Sequence, residues 1–500
     1  MSQTLSQTRR EDLSAEEGAS VARPSLYVLL EGERPLAGGM RVPLDAVDEL
    51  RIGRGTTRAF TLDGDGTASL TVPDPRMSSR HARLVRERAR AGDRDASDAA
   101  TGWRLEDLGS TNGSFVEGKR ATDATLDEPA VLTLGATCLL FDPGEAVPVG
   151  VKSVPVDAEG LRARPRGTAT LVPSVEHTMP RLVRVAMSKL SVLLLGESGS
   201  GKEVLARTVH QLSGRQGPFI AINCGALAPT LLESQLFGHV KGAFSGAARD
   251  EPGLVRASSG GTLFLDEIGE LPPSAQATLL RVLQEKEVLP VGGTKPIPVD
   301  LRVVSATLKP IDGSEATTFR ADLYARVSAF VHRLAPLRER RGDVGLLIAD
   351  LLPRLTPERA ERIRFAPDLA TALGSHHFPL NVRELEHLLS VALVTSTEDL
   401  LRRESVGDAL RPTRERAASE MDQREARLEP REALPASSPA RAPQPRTLSE
   451  EELKLKDELT RALTTTRGNV SEIARAMGKT RMQIHRWMKR FGLDPESFRG

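Results

Sequence analysis

The sequence predicts a multidomain protein: an all-β sandwich, then an α/β phosphate-binding core with a helical appendage, then an all-α helix-turn-helix. Three observations carry this. Short apolar strands separated by Gly, Pro and Asp turns run from Leu26 to about Phe141, as in a sandwich. From about Leu171 strand and helix patterns alternate, which builds a parallel sheet with helices on both faces. Near the end, Val470–Met477, Gly478 and Thr480–Phe491 read as helix, tight turn, helix. At 500 residues the chain exceeds one core, since domains hold roughly 100–200 residues each.

Composition narrows the class. A hydrophobic fraction of 39% with 27% charged residues suits a globular chain with some linker. The net charge of +1 says nothing about partners, so charge has to be read locally. Two cysteines, Cys138 and Cys224, make no disulfide framework and suit a reducing compartment. Met1 leads into the polar stretch Ser2–Ser20 without an apolar h-region, and no apolar run approaches the ~20 residues of a membrane span. A cytoplasmic protein without a membrane partner is expected.

Residues 1–23 are polar and expected to be disordered. The sandwich is assigned to 24–145, with strands at Ser25–Glu31, Leu50–Gly53, Ala82–Val85, Trp103–Leu105 and Leu132–Leu134, and with Arg86–Gly102 as a long hairpin loop. Three separated motifs occur in it: Ile52-Gly53-Arg54, Met77-Ser78-Ser79-Arg80-His81, and Asp107-Leu108-Gly109-Ser110-Thr111-Asn112-Gly113. Together they resemble the forkhead-associated (FHA) domain, a phosphothreonine-binding sandwich. The resemblance implies that Arg54, Ser78, Ser79, Thr111 and Asn112 lie on loops at one end. Arg54 and Ser78 would hold phosphate by charge-assisted hydrogen bonds, Asn112 would hold peptide backbone, and His81 would brace the loops from inside. Ser79 stands where many relatives carry Arg or Asn. The alternative for these residues is a purely structural tie between loops.

Residues 146–170 carry Pro, Gly, Val and Arg without period and read as a linker. The α/β core is assigned to 171–339 and a small helical subdomain to 340–411. The apolar run Ser191–Leu195 leads into Gly196-Glu197-Ser198-Gly199-Ser200-Gly201-Lys202 and a helix from Glu203. A strand, a glycine-rich turn and a helix N-terminus make a phosphate cradle: glycines turn backbone N–H groups inward, and Lys202 reaches the β- and γ-phosphates. ATP with Mg2+ is the expected ligand. About 60 residues downstream, Gly261-Thr262-Leu263-Phe264-Leu265-Asp266-Glu267 ends an apolar strand in two carboxylates. Neighbouring strand residues face opposite ways. Asp266 can therefore hold the magnesium ion while Glu267 polarises the attacking water.

Between these motifs lies Gly242-Ala243-Phe244-Ser245-Gly246-Ala247, with a phenylalanine flanked by helix-disfavouring glycines. An exposed Phe on a loop is usually a contact residue. This stretch, with the two nucleotide motifs, resembles the central domain of sigma-54-dependent transcriptional activators, bacterial enhancer-binding proteins of the AAA+ class, whose loop reads Gly-Ala-Phe-Thr-Gly-Ala. The resemblance implies that Phe244 and Ser245 contact sigma-54, and it makes Glu203 ordinary, since the family carries Glu after the lysine. It further implies that Asn223 restrains Glu267, that Arg320 and Arg326 are arginine fingers reaching a neighbouring subunit, that Thr307 senses phosphate, and that Arg383 is the sensor of an AAA+ helical lid. Fingers in trans force assembly, because no protomer completes its own site; dimers to ring hexamers are expected. Two positions depart from the family. Leu308 replaces the Asn of Ala-Thr-Asn, and Leu380 replaces the Gly of Trp-Pro-Gly-Asn, a change that would strain the lid hinge if that Gly needs positive φ. A slower or differently gated ATPase is expected.

Residues 412–447 are rich in Pro, Ala, Ser, Glu and Arg and are expected to be disordered linker. The end, 448–500, holds a helical period at Leu453–Leu463 and then the helix-turn-helix. Eight Lys/Arg face three Asp/Glu over 467–500, a local excess of five. This resembles the Fis-type DNA-binding domain. Thr480, Arg481, Gln483, His485 and Arg486 are candidates to meet bases or phosphates, with Lys489 and Arg490 on phosphates. The function read from the sequence is an activator that binds enhancer DNA and hydrolyses ATP to remodel closed complexes of RNA polymerase with sigma-54. Its input would be a phosphothreonine made by a Ser/Thr kinase. The alternative is a phosphopeptide-dependent DNA-binding repressor with an impaired ATPase.

Overall fold

Leu26–Leu30 is an unbroken apolar run, and every residue in it is buried. A strand with no polar face is covered on both sides, and this strand explains how the first two domains meet. The structure, a computed structural model, describes residues 19–88, 100–226, 229–309, 311, 318–410, 459–466, 477 and 488. It falls into two units, Met1–Ser419 and Glu420–Gly500.

The sandwich has thirteen strands among the described residues. One sheet contains β1 (Ser20–Glu31), β2 (Met40–Pro43), β8 (Ser114–Val116), β9 (Lys119–Ala121), β11 (Ala130–Leu134), β12 (Thr137–Pro148) and β13 (Val156–Asp157), in the order β13-β2-β1-β12-β11-β8-β9. The other contains β3 (Glu49–Arg54), β4 (Ala59–Leu62), β5 (Thr67–Val72), β6 (Ala82–Arg88), β7 (Ala100–Asp107) and β10 (Asp123–Thr125), in the order β10-β7-β6-β3-β5-β4. The faces between them bury Leu26, Val28, Ile52, Leu84, Trp103 and Phe141.

The stretch expected as linker is built into the fold. β12 continues to Pro148 against β1 from Ser20, and β13 pairs with β2. The reason is electrostatic as well as topological. Arg58, almost wholly buried, donates to Asp157 and to Glu31 at 2.6–2.9 Å. Farther on, Asp343 accepts from Thr170 Oγ1 and from the Leu171 N–H, both at 2.7 Å. Ser20–Arg23, expected to be disordered, belongs to β1; residues 1–18 lie outside the described residues.

The α/β core is a five-stranded parallel sheet in the order β15-β16-β19-β14-β20. Its strands are β14 (Val192–Leu195), β15 (Phe219–Asn223), β16 (Thr262–Asp266), β19 (Arg302–Thr307) and β20 (Phe330–Arg333). α1 (Pro173–Ala186), α2 (Lys202–Leu212), α3 (Pro229–Phe237), α4 (Gly253–Ala257), α5 (Pro273–Glu285) and α6 (Ala321–Val327) surround it, with a small hairpin of β17 (Glu287–Val288) and β18 (Ile297–Pro298). Two apolar layers hold the sheet, one around Leu193, Leu263 and Leu279 and the other around Val192, Phe264 and Val304.

The helical subdomain is α7 (Val344–Leu355), α8 (Pro367–Ser375) and α9 (Asn381–Thr395), with a short pairing of β21 (Arg364–Phe365) and β22 (Leu400–Leu401). It shares one apolar core with the outer face of the sandwich: Tyr27, Leu29, Val131, Cys138 and Leu140 pack with Ile348, Leu369, Leu373 and Leu389. In the second unit, residues 459–465 are helical, with Leu459 and Leu463 buried, as is Met488. The linker 412–447 and all seven candidate DNA contacts, Thr480, Arg481, Gln483, His485, Arg486, Lys489 and Arg490, lie outside the described residues. No described helix is long and apolar enough to cross a membrane.

Candidate functional site: a lid-clamped phosphate loop

β14 ends at Leu195, and the chain turns through Gly199 (φ 74°) and Gly201 (φ 103°) into α2. Both glycines occupy the left-handed region that side chains disfavour. Lys202, at the start of α2, donates through Nζ to the carbonyls of Gly196 (2.9 Å) and Glu197 (3.0 Å). Burial pushes its pKa down, against the pull of Asp266 and Glu267. Burial likewise pushes the Asp266 carboxyl up, opposed by the Lys202 charge. The three groups predicted from separate motifs therefore share one electrostatic site. Glu267 itself sits at φ 54°, a conformation that turns the chain abruptly after β16. Glu203 points away, into a 2.6 Å pair with Arg207 one turn on.

The loop fits the phosphates of a nucleotide. Ser200 Oγ is buried in the loop without a hydrogen-bond partner among the described residues, and buried polar atoms normally have one. Thr307 is buried beside the loop: Gly196 N–H donates to its carbonyl at 3.3 Å, and its Oγ1 accepts from Lys309 N–H at 3.0 Å. Leu308 points to solvent at 62% exposure. Asn223 lies in register with Asp266, and its carboxamide oxygen accepts from Gly225 N–H at 2.8 Å.

The lid grips this loop from above. Arg338 makes a bidentate pair with Glu197 at 2.7 and 2.8 Å. That pair, with a hydrogen bond from Asn381, holds the Glu197 carboxyl down at about 2. Asn381 Nδ2 also donates to Ser198 O at 3.0 Å, and Val382 N–H donates to Gly199 O at 3.0 Å. Arg383 donates to Ser198 Oγ at 2.8 Å, and Arg340 to Ser200 O at 3.0 Å. Of the arginines expected at the site, the structure thus brings Arg383 to the loop. Arg320 precedes α6 and pairs with its neighbour Asp322; Arg326 is exposed at the far end of α6, beside Lys189 and Lys286. Arg338 and Arg340 were not anticipated. Their signal was the basic run Arg338-Glu339-Arg340-Arg341 just before α7.

Leu380 does not strain the hinge. Its φ is −103°; the positive φ values belong to Phe378 (49°) and Asn381 (56°). Asn tolerates that region through its short polar side chain. Its buried carboxamide also accepts from Leu337 N–H at 2.7 Å, which ties the turn to the start of the lid.

The Phe244 loop stands apart from the phosphate loop. It is closed at its base by Gly242 N–H to Ala247 O (2.9 Å) and Ala247 N–H to Phe244 O (3.0 Å). Ala243 packs against the β17–β18 hairpin at Gly292. The Phe244 ring lies 4.9 Å from His239 and remains 41% exposed, and Ser245 and Gly246 are exposed beside it.

On the sandwich, the three motifs meet at one end. Thr111 N–H donates to Ser78 Oγ (3.1 Å), Asn112 Nδ2 to Arg76 O (2.7 Å) and Arg54 N–H to Ser78 O (2.9 Å). Arg54, Ser79, Thr111 and Asn112 are exposed. A Cβ on Gly53 would lie 2.0 Å from Ser79 O, so only glycine lets the two loops cross. His81 is buried beneath them. Its Nδ1 accepts from Ser78 N–H at 3.0 Å and its Nε2 faces Gly113 O at 3.3 Å, which fixes a neutral ring protonated on Nε2.

Family models agree with this division. A sigma-54 interaction domain matches residues 170–332, an AAA+ ATPase lid domain 338–423 and an FHA domain 50–136. The chain is 47% identical over 226 residues to a Nif-specific regulatory protein of Rhodobacter capsulatus, covering 45% of this chain and 39% of the relative. It is 38% identical over 329 residues to response regulator protein PilR of Pseudomonas aeruginosa, covering 64% of this chain and 69% of that protein. A crystal structure of NtrX from Brucella abortus in complex with ATP aligns at 26% identity and a TM-score of 0.44, over 67% of this chain and 71% of that one. The chain spans about two fifths of the length of the Nif-specific regulators it matches. With a phosphate loop, a paired-carboxylate strand and a lid in one unit, and with PilR matched over more than two thirds of its length, the chain belongs to the sigma-54-dependent transcriptional activator family with an AAA+ ATPase domain and carries an FHA domain ahead of it.

Proposed function

We propose that this protein is a cytoplasmic, ATP-driven activator that remodels closed complexes of RNA polymerase and sigma-54, takes its input from phosphothreonine through the FHA domain, and reaches enhancer DNA through residues 448–500. The observation that carries the reading is the electrostatic coupling of half-buried Lys202 and Asp266 with exposed Glu267 at one site, with an exposed Phe244 on a separate, base-closed loop. In this reading Lys202 would hold the β- and γ-phosphates, Asp266 would hold Mg2+, which would neutralise phosphate charge, and Glu267 would orient the attacking water. Arg383 would sense the nucleotide from the lid. The exposure of Arg320 and Arg326 suits fingers offered to a neighbouring subunit, and such a finger is worth ~10³-fold or more in rate. Phe244 and Ser245 would meet sigma-54.

The test is open-complex formation on a supercoiled sigma-54 promoter carrying this protein's binding site, with ATP and with phosphothreonine peptides supplied. Wild type is expected to open it. Lys202→Ala should lose both hydrolysis and opening, whereas Phe244→Ala should hydrolyse ATP and fail to open. Intact DNA binding without opening or ATP hydrolysis by wild type would favour the repressor reading, for which the exposed Leu308 is the observation in hand.

A further inference from the structure

The sandwich and the lid enclose a cleft of about 870 Å³ at the loop end of the FHA domain. Its FHA wall includes Arg76 and Asn112, and its lid wall includes Ala372, His376, His377 and Arg403. We infer that this cleft is the bed for the peptide flanking the phosphothreonine, so that the AAA+ lid is half of the peptide site and phosphopeptide and nucleotide binding are thermodynamically linked. The inference rests on the FHA reading above and adds to it the lid wall and the link to nucleotide.

Continuity is the first argument. Asn112 belongs both to the cluster around Arg54, Ser78 and Thr111 and to the cleft wall, so a chain held at those loops runs directly into the cleft. A polar lining is the second. The carboxylates on the wall are already engaged: Glu117 accepts from Ser375 Oγ at 2.9 Å and Val131 N–H at 2.6 Å, and Asp368 accepts from Leu369 N–H at 2.8 Å and Arg403 N–H at 3.3 Å. Arg76, which also pairs with Glu33 at 3.6 Å, and Arg403 balance those two carboxylates, so the wall offers a flanking peptide polar groups of both signs rather than one net charge.

The link to nucleotide is a short chain of contacts. His376, on the cleft wall, meets Glu384 at 3.0 Å, and Glu384 accepts from Leu380 N–H at 2.9 Å. The next three residues are the ones that hold Ser198 and Gly199 of the phosphate loop. Two hydrogen bonds therefore separate the peptide bed from the lid hinge. Because one turn carries both sets of contacts, a peptide that shifts the lid shifts nucleotide affinity, and that coupling is reciprocal.

The test uses the full-length protein and a fluorescent phosphothreonine peptide selected from a degenerate library, with its unphosphorylated twin as control. Arg54→Ala should abolish binding. Ala372→Trp, which fills the lid side, and Arg403→Glu, which reverses charge on an exposed position, should each weaken binding by about tenfold, and nucleotide should shift wild-type affinity by about fivefold or more. Lid variants that bind like wild type while Arg54→Ala does not would overturn this inference and leave the FHA reading standing. A library with no member preferred over its unphosphorylated twin would overturn both. With a benzoylphenylalanine photo-crosslinker in place of His377, the expected adduct is with the peptide. Adducts with this chain's own residues beyond Leu410, or with a second copy, would sink the proposal.

Discussion

Glu197 occupies the second position of the phosphate loop, and its two oxygens are fixed by Arg338 and Asn381. The pair with Arg338 is 42% exposed on the arginine side and 34% on the glutamate side, so its net stability is small, about 1 kcal/mol or less. Its value lies in position. Arg338→Ala is expected to leave the melting temperature within a few degrees while lowering kcat/KM for ATP about tenfold, because the loop loses its fixed geometry; steady-state ATPase assays beside thermal melts check this. His81 gives a pH prediction. Burial pushes its pKa below the ordinary 6.5, so the unfolded chain takes up the proton first. The stabilisation is complete above pH 6.5 and is lost as pH falls through the lowered folded value. Urea titrations at pH 7.5 and 5.5 should show wild type losing stability on acidification, and His81→Gln losing less.

At the scale of elements, the turn into α9 sets the lid. The sequence substitutes Leu for a family glycine at 380, yet the backbone there is in a region any residue adopts. Restoring the glycine should therefore bring no relief. Leu380→Gly is expected to cost about 0.5–1 kcal/mol through added freedom in the unfolded chain, measured by denaturant unfolding. A gain in stability would show that the turn is strained after all. The special position is Asn381, whose carboxamide makes three hydrogen bonds from a positive φ.

At the scale of the whole first unit, the FHA sandwich is part of the lid's core. Phe365 N–H donates to Gly32 O at 2.8 Å, and α7 passes so close to β1 that a Cβ on Gly345 would fall 1.6 Å from Leu29 O. Gly345→Ala must push backbone from backbone. It should destabilise by about 3 kcal/mol and, by parting the sandwich from the lid, expose the junction to limited proteolysis. In wild type the two should unfold together in one calorimetric transition, since one apolar cluster spans both; separate transitions would refute this.

The sequence by itself determined that an FHA domain precedes an AAA+ domain with its lid. Glycine spacing around Lys202 and the carboxylates after an apolar strand are local patterns with a local physical meaning. The strands expected at Leu50–Gly53, Trp103–Leu105 and Leu132–Leu134 fall within β3, β7 and β11 for the same reason. The three FHA motifs, by contrast, were legible through their resemblance to a family. Tertiary structure alone decided what touches what. The linker-like composition of 146–170 hid Asp157, whose role depends on Arg58 some hundred residues away. Arg338 acquires its role only because the folded lid places it on Glu197. The non-alternating run Leu26–Leu30 signalled a second covering layer, but only packing shows that layer to be the lid, because burial of an apolar face is non-directional and does not name its partner.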